Sequence, residues 1–327
     1  MIVTVTPNPS IDRTLNVPGV RRGEVIRATA TTSEAGGKGI NVSRALSLMG
    51  VPTVAIAPAS AATKARLDDL LDGGTPLRTV PIAGDIRVNM SLVEPDGTVT
   101  KVNEPGAAVD ATDAARLLED VVAAVLEVLG ADGDTSARPS LDRDASNWIV
   151  CCGSLPPGLP DGFYAEIAAR APASVHVAID ADRAALRAAV DARVALLKPN
   201  RVELEELVGR HLPTLGDVVD AASELVAGGT ETVLVSLGPD GALLVDRSGA
   251  CHAEAAIDDV ANTVGAGDAL LAGFLAGGAT SAALPTAIAW SVAACRAPGT
   301  RMPPVAAADL AAVVVRPTVD RDRRLEG

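Results

Sequence analysis

Predicted strands and helices alternate along most of this 327-residue chain. The first strand is the β-rich segment from Ile2 to Thr6, and apolar segments at 148–152, 175–180 and 232–237 continue the series. Consecutive strands joined by helices pair in parallel, so this order predicts an α/β fold, a mainly parallel sheet with helices on both faces. Hydrophobic residues make up 48% of the sequence, which is enough to bury a large core. We expect a single domain over residues 1–327.

A second group of extended segments looks separate from the main sheet. Residues 27–33 are rich in Thr and Ala, and residues 87–106 alternate around a turn at Asp96-Gly97, which is typical of a hairpin. We expect these segments to form a small sheet outside the main one. Its strands are expected within about 13–34 and 84–105.

The segment Asn262-Thr-Val-Gly-Ala-Gly-Asp268 is predicted to be a tight glycine turn that opens a helix. Gly265 and Gly267 can adopt backbone angles that a side chain would forbid. Such a turn aims several N–H groups at one point, and the positive end of the helix adds to them, so the turn can bind a phosphate or another anion. Asp268 is either a base for a hydroxyl that attacks a phosphoryl group or an ordinary helix cap.

Three further polar segments follow predicted strands, where open α/β sheets bind ligands. Asp12 closes a predicted polar turn and could hold sugar hydroxyls or be an ordinary turn residue. Lys38 lies in a second glycine turn and could meet a phosphate, although the P-loop spacing is absent. Asn200 and Glu203 lie on one side of a helix start, where they could serve Mg²⁺ or form a capping box.

The net charge argues against one class of function and limits how an anionic substrate could bind. A net charge of -13 argues against a nucleic-acid partner, and an anionic substrate would need a local basic cluster. Arg87 and Lys101 on the predicted hairpin could supply that cluster or could be solvated surface charges. The polar segment 130–147 is interpreted as a surface insertion.

The four cysteines show neither metal-ligand spacing nor a disulfide framework, and the N-terminus lacks the basic region of a signal peptide. We therefore expect a cytoplasmic protein with reduced thiols. The segment 269–295 carries no charged residue, but Gly277-Gly278 and Pro285 interrupt it. Two buried helices are expected there rather than a membrane span.

Five motifs occur in an order that resembles the PfkB (ribokinase-like) carbohydrate kinases, and the resemblance covers nearly the whole chain. It is greatest to the branch of 1-phosphofructokinases and tagatose-6-phosphate kinases. The motifs are Thr-Pro-Asn-Pro-Ser-Ile-Asp12, Gly-Gly-Lys-Gly-Ile-Asn41, Gly-Ser-Leu-Pro-Pro-Gly158, Lys-Pro-Asn200-x-x-Glu203 and Asn-Thr-Val-Gly-Ala-Gly-Asp268.

The resemblance implies a ribokinase-like fold with a small β-sheet lid, ATP as phosphoryl donor and Mg²⁺ as cofactor. Asp268 matches the catalytic base, and the N–H groups of Gly265, Ala266 and Gly267 match an anion hole. Asn200 and Glu203 match the motif that organises the ATP phosphates and the metal, the latter through water. The residues that match the nucleotide site are Lys198, Ser236, Gly238, Gly241 and Asn262. Those that match the sugar-phosphate site are Asp12, Gly37, Lys38, Asn41, Ser154, Arg87 and Lys101.

The resemblance also gives an expected reaction, the ATP-dependent phosphorylation of fructose 1-phosphate to fructose 1,6-bisphosphate. Tagatose 6-phosphate and fructose 6-phosphate are the alternative acceptors. A non-catalytic sugar-phosphate sensor on the same fold is an alternative from another class, and the intact Asp268 argues against it. We further expect a homodimer formed through the lid.

Overall fold

The computed structural model describes residues 1–82, 84–130, 147–257, 259–297 and 299–326. The insertion predicted at 130–147 lies almost wholly outside these described residues. The strands, in chain order, are β1 (Ile2–Val5), β2 (Ser10–Asn16), β3 (Ala30–Gly36), β4 (Thr53–Ala59), β5 (Leu77–Pro81), β6 (Arg87–Val93), β7 (Val99–Asn103), β8 (Asn147–Cys152), β9 (Val175–Asp180), β10 (Leu196–Leu197), β11 (Thr232–Ser236), β12 (Ala242–Asp246), β13 (Gly249–Glu254) and β14 (Val314–Arg316).

The helices fill most of the connections between these strands. In chain order they are α1 (Lys38–Leu48), α2 (Ala61–Leu71), α3 (Ala111–Leu129), α4 (Phe163–Arg170), α5 (Arg183–Asp191), α6 (Arg201–Val208), α7 (Leu215–Gly228), α8 (Ala266–Ala276), α9 (Leu284–Arg296) and α10 (Ala307–Ala311).

The main sheet has the strand order β14-β13-β12-β11-β10-β9-β8-β1-β4-β5. Pairing is parallel from β5 to β11, whereas β12, β13 and β14 join as antiparallel strands at one edge. The prediction of a mainly parallel sheet is therefore confirmed. The carboxyl ends of the parallel strands share one edge, where their loops meet.

Helices cover both faces of the main sheet, as predicted. Along β8, Ile149 and Cys151 pack into the core formed with α3 to α7, whereas Val150 and Cys152 pack into the core formed with α1, α8 and α9. Strands that are buried on both faces read as continuous apolar runs, which explains why these segments show no polar alternation.

The uncharged segment 269–295 forms α8 and α9, which pack against each other with a turn between them. A side chain at Gly273 would lie 2.8 Å from the carbonyl oxygen of Thr286, so the two helices approach closely only because this residue is glycine. Among the described residues, no helix is long and apolar enough to cross a membrane.

A separate small sheet has the order β3-β2-β6-β7. One expectation was wrong here, because Ser10 to Asp12 begin strand β2 and do not belong to a polar turn. Ser10 pairs with both Gly36 and Arg87, so β2 is held on both edges. The Pro7-Asn-Pro sequence favours a turn, but this turn ends at Pro9, because the long-range pairings place the following residues in a strand.

Candidate active site

Asp268 lies in the first turn of α8, with only 7% of its surface exposed. The helix is capped by the backbone of Gly265, which is in the left-handed conformation with φ of 84°, and no side chain caps it. Capping therefore does not explain Asp268. Instead, its Oδ2 accepts a hydrogen bond of 2.9 Å from Nδ2 of Asn41 on α1.

Burial raises the pKa of Asp268 from 3.8 to about 6, and repulsion by Asp180 adds to this effect. Lys38, the hydrogen bond from Asn41 and Lys198 oppose it. A carboxylate with such a pKa is a stronger base than an exposed one and is still ionised at neutral pH.

The glycine turn before α8 is braced by Asn262. Its Oδ1 accepts the N–H of Val264 at 3.0 Å, and its Nδ2 donates to the carbonyl of Gly299 at 3.4 Å. This geometry gives Asn262 a backbone-bracing contact in addition to the nucleotide contact that the resemblance implied. Of the three residues predicted to form the anion hole, Ala266 already donates its N–H to Thr263 at 3.3 Å. Gly265 and Gly267 have no such bond among the described residues.

Asp180, at the end of β9, is a site residue that the sequence interpretation missed. Its Oδ1 pairs with Nζ of Lys38 at 2.7 Å and its Oδ2 with Nζ of Lys198 at 2.9 Å, while its side chain is only 1% exposed. The available signal was an acidic residue at the end of a buried strand. Asp180 thus joins Lys38, predicted for the sugar-phosphate site, to Lys198, predicted for the nucleotide site.

The charges around Asp180 stabilise one another. Burial disfavours the ionised form of Asp180, but Lys198 and Lys38 together hold its pKa below the usual value. Burial likewise disfavours the charged form of Lys38, but Asp180, Asp268 and Glu203 raise its pKa. Asp180 and Lys38 are therefore both charged at neutral pH.

Asn200 and Glu203 form the capping box that the sequence left open as one alternative. Oδ1 of Asn200 accepts the N–H of Glu203 at 2.9 Å, and Oε2 of Glu203 accepts the N–H of Asn200 at 2.8 Å. Burial raises the pKa of Glu203, with Lys38 opposing this rise. The described residues contain no group of three or more His, Cys, Asp or Glu side chains that could enclose a metal.

The end of β11 and the loop after it carry three more of the predicted nucleotide residues, Ser236, Gly238 and Gly241. Ser236 donates its N–H to the Pro199 carbonyl at 3.1 Å, which brings this loop beside Asn200. Gly241 has φ of 83°, and a side chain there would lie 2.1 Å from the Ala253 carbonyl oxygen. Gly238 instead faces open space, with no atom within 4 Å of the position of a side chain.

Asp12 belongs to a polar network on the small sheet. Its Oδ1 accepts hydrogen bonds from Ser10 at 2.7 Å and from Asn89 at 3.0 Å. Gly36 is required beside it, because a side chain there would lie 2.4 Å from the carboxylate. Asn89 was not among the predicted site residues, and its position opposite Asp12 depends on the pairing of β2 with β6.

The register of the small sheet places the predicted phosphate ligands on one face. Asp12 on β2 pairs with Asn89 on β6, and Lys101 on β7 pairs with Ser91 on β6. Arg87 lies on β6 two residues before Asn89 and four before Ser91, so it lies on the same face of the sheet as Asp12 and Lys101. Burial lowers the pKa of Arg87, and attraction by Asp12 opposes this. Lys101 is exposed on the edge strand β7.

The remaining residues predicted for the sugar-phosphate site lie at the start of α1 and in the loop after β8. Gly37 caps α1 with φ of 122°, and a side chain there would lie 2.7 Å from Cγ2 of Thr6. Oγ of Ser154 accepts a hydrogen bond of 3.4 Å from Asn8, which also donates to the Pro105 carbonyl at 3.1 Å. Asn8 therefore links the loop after β8 to the end of the small sheet.

Residues 5–298 match the family model described as pfkB family carbohydrate kinase. The chain belongs to this family. The family resemblance inferred from the five motifs is thereby confirmed, as is the kinase class of the enzyme.

Individual members of the pfkB family are similar over most of their length. A 1-phosphofructokinase of Rhodobacter capsulatus is 38% identical over 84% of this chain and 82% of its own. The ATP-dependent 6-phosphofructokinase isozyme 2 of Escherichia coli is 34% identical over 90% of each chain. The crystal structure of E. coli phosphofructokinase-2 in complex with substrates and products superposes with a TM-score of 0.80 at 32% identity, covering 95% of this chain and 97% of that one. The expected ribokinase-like fold is confirmed.

Proposed function

We propose that this kinase transfers the γ-phosphoryl group of ATP to a hydroxyl of fructose 1-phosphate, giving fructose 1,6-bisphosphate. The observation that carries the proposal is the buried Asp268, which lies at a helix start, bonded to Asn41 and close to two lysines held by Asp180. A base, an anion-binding turn and fixed positive charges are the parts that phosphoryl transfer requires.

In the proposed reaction, Asp268 takes the proton of the acceptor hydroxyl while the hydroxyl oxygen bonds to the γ-phosphorus. The bond from the γ-phosphorus to the β,γ-bridging oxygen breaks, and ADP leaves with that oxygen. The N–H groups of Gly265 and Gly267 stabilise the charge on the transferred group, with the positive end of α8 behind them. Lys38 and Lys198 hold the phosphates from opposite sides of Asp180.

Mg²⁺ fits this site as a cation that arrives with ATP. Asn200 Oδ1 and Glu203 Oε2 are engaged in the capping box, which leaves Glu203 Oε1 free to hold metal-bound water. The cation would neutralise charge on the ATP phosphates. Such an ion keeps most of its own waters, in agreement with the lack of an enclosing ligand cluster among the described residues.

Fructose 1-phosphate is proposed as acceptor because several relatives at 33–38% identity are 1-phosphofructokinases. Asp12 and Asn41 would hold sugar hydroxyls, with Gly37 and Ser154 shaping the pocket. Arg87 and Lys101 would meet the phosphate that the sugar already carries. The similarity to a 6-phosphofructokinase supports fructose 6-phosphate as the second candidate.

The test is ADP release by the purified protein with Mg-ATP and each of fructose 1-phosphate, fructose 6-phosphate and tagatose 6-phosphate. We expect kcat/KM for fructose 1-phosphate to exceed the other two values by roughly tenfold or more. A higher value for another acceptor would replace the proposed substrate. Absence of ADP release with all three would refute the proposed reaction.

A further inference from the structure

A polar cluster of Glu34, Arg44 and Thr300 joins the small sheet and α1 to a loop that is distant in sequence. Glu34 lies near the end of β3 in the small sheet, Arg44 lies on α1, and Thr300 lies in the loop after α9. Oε2 of Glu34 accepts hydrogen bonds from the N–H of Thr300 at 3.0 Å and from its hydroxyl at 3.1 Å. Oε1 of Glu34 pairs with Arg44 at 3.6 Å, and Arg44 also donates to the Thr300 hydroxyl at 3.1 Å.

One branch of this cluster reaches the side chain of Asp268. Arg44 donates to Oδ1 of Asn41 at 3.5 Å, and Nδ2 of Asn41 donates to Asp268. Because a guanidinium can only donate, its contact with Oδ1 favours the amide orientation in which Nδ2 faces the carboxylate. Arg44, whose Nη1 also donates to the Ala35 carbonyl at 3.1 Å, is thus in contact with the residue that bonds to Asp268.

A second branch reaches the backbone of the glycine turn before α8, residues 262–265, which we call the catalytic turn. Gly299 precedes Thr300 and accepts the side-chain hydrogen bond of Asn262, which braces the turn. A side chain at Gly299 would lie 2.9 Å from Oε2 of Glu34, so the loop and the carboxylate approach closely. The loop 299–300 is therefore held between the end of β3 and the turn that carries Asp268.

The cluster depends on the charge of Glu34. The Arg44 side chain is 11% exposed and that of Glu34 is 24% exposed, so solvent screens their attraction only weakly. Burial lowers the pKa of Arg44, Glu34 opposes this most strongly, and the neighbouring Arg301 adds to the lowering. Without Glu34, the buried guanidinium would keep the repulsion of Arg301 and lose its strongest attraction, leaving only the weaker attraction of Asp12.

We propose that Glu34 is a positioning residue that couples the small sheet to the catalytic turn, so that Asp268 is held in its working orientation. The inference depends on the proposed role of Asp268 as base. It assigns Glu34 an effect mainly on turnover rather than on ATP binding. Of the residues matched to the nucleotide site, the cluster reaches only Asn262, through the bond that braces the turn, and not Asn200, Ser236 or Gly241.

The experiment compares Glu34→Ala, Thr300→Val and the double variant with the wild type, using the acceptor that the wild type phosphorylates best. We expect Glu34→Ala to lower kcat about tenfold or more while KM for ATP changes by less than about twofold. Because both single variants break the same contact, the double variant should lose little more than Glu34→Ala alone. Glu34→Gln, which keeps the shape of the side chain, serves if the alanine variant fails to fold.

Glu94→Ala is the matched control, since Glu94 is also a carboxylate at the small sheet and accepts the N–H of Val20 at 3.0 Å. It should leave kcat unchanged. Wild-type kcat in the Glu34 variants, an equal loss in Glu94→Ala, or losses that multiply in the double variant would overturn the inference. If the wild type itself shows no turnover, the proposed function fails instead, so the two failures are distinguishable.

Discussion

Asp268 combines two properties that oppose each other in the energetics of the fold. Its raised pKa makes it a useful base, but an ionised carboxylate in this buried position costs stability. The folded protein holds the proton up to a pH of about 6, whereas an unfolded chain releases it near 3.8. The contribution of Asp268 to stability is therefore full below about pH 3.8 and is lost as the pH rises through 6.

We predict that kcat/KM falls as the pH drops below about 6, because the protonated carboxyl cannot accept the hydroxyl proton. Asp268→Asn should lower kcat by about 10²- to 10⁴-fold. The same variant should be more stable at neutral pH by up to about 3 kcal/mol, the free energy that corresponds to the pKa change. The dependence of kcat/KM on pH and the kcat of the variant test the role as base. Urea unfolding at pH 5 and pH 7.5 measures the difference in stability. Near-normal turnover in the variant would remove Asp268 from the role of base.

Asp180 controls the electrostatics of the same site, because it repels Asp268 and holds both lysines. In Asp180→Asn, the repulsion disappears and the lysines are free to attract Asp268, so we predict that the acid limb of the rate profile moves to lower pH. Turnover should also fall at least about tenfold, since Lys38 and Lys198 lose their common anchor. Asp191→Asn, an exposed change of the same charge at the end of α5, is the control. An unchanged acid limb in Asp180→Asn would contradict this account.

The local geometry of single residues was predictable where a short motif determines it and not where a distant contact does. Asp268 and the pair Asn200 and Glu203 stand in short motifs whose backbone geometry is local. Asp180 has no motif, and its role becomes visible only when parallel pairing brings β9 beside β8 and β10. Glu34 contacts a residue 266 positions away, which no local pattern indicates.

At the level of elements, segments with strong apolar patterns were predicted almost to the residue. The strand expected at 175–180 is β9, and the strand expected at 148–152 is β8, which begins one residue earlier. Strand β2 was misjudged at its start because its pairing partners lie up to 77 residues away. The short exposed strand β14 gave no signal, because only its pairing with β13 makes it a strand.

The contact between α8 and α9 gives a prediction for stability. Gly273→Ala should destabilise the protein by about 1–3 kcal/mol, since the new methyl group meets Thr286 and Trp290 in a packed interface. Gly228→Ala near the end of α7 is the control, because no atom lies within 4 Å of its added methyl group. That change should be neutral or stabilising by up to about 1 kcal/mol. Equal unfolding midpoints for the two variants would show that the helices separate easily.

For the whole molecule, the two faces of the small sheet differ in character. The face with Asp12 and Lys101 is polar and belongs to the proposed acceptor site. Pairing of Arg13 with Met90 and of Met90 with Val102 places the opposite set of side chains on the other face. That set includes several apolar residues that are only partly buried or exposed, namely Leu15, Val88, Met90, Leu92 and Val102. A single sheet layer with an uncovered apolar face is typical of a surface that associates with a partner.

We therefore predict that two copies associate through the apolar faces of their small sheets, and that Val102→Glu converts the dimer into a monomer. A charge at this position would have to be desolvated in the interface without a partner, which costs far more than the apolar contact contributes. Val314→Glu on β14 is the matched control, because Val314 is 46% exposed and Val102 is 48% exposed. The molar mass in solution, measured by light scattering at micromolar concentration, separates the variants. A wild-type monomer, or dissociation by Val314→Glu to the same extent, would contradict association through this face. The small sheet would then cover the acceptor site of a single subunit only.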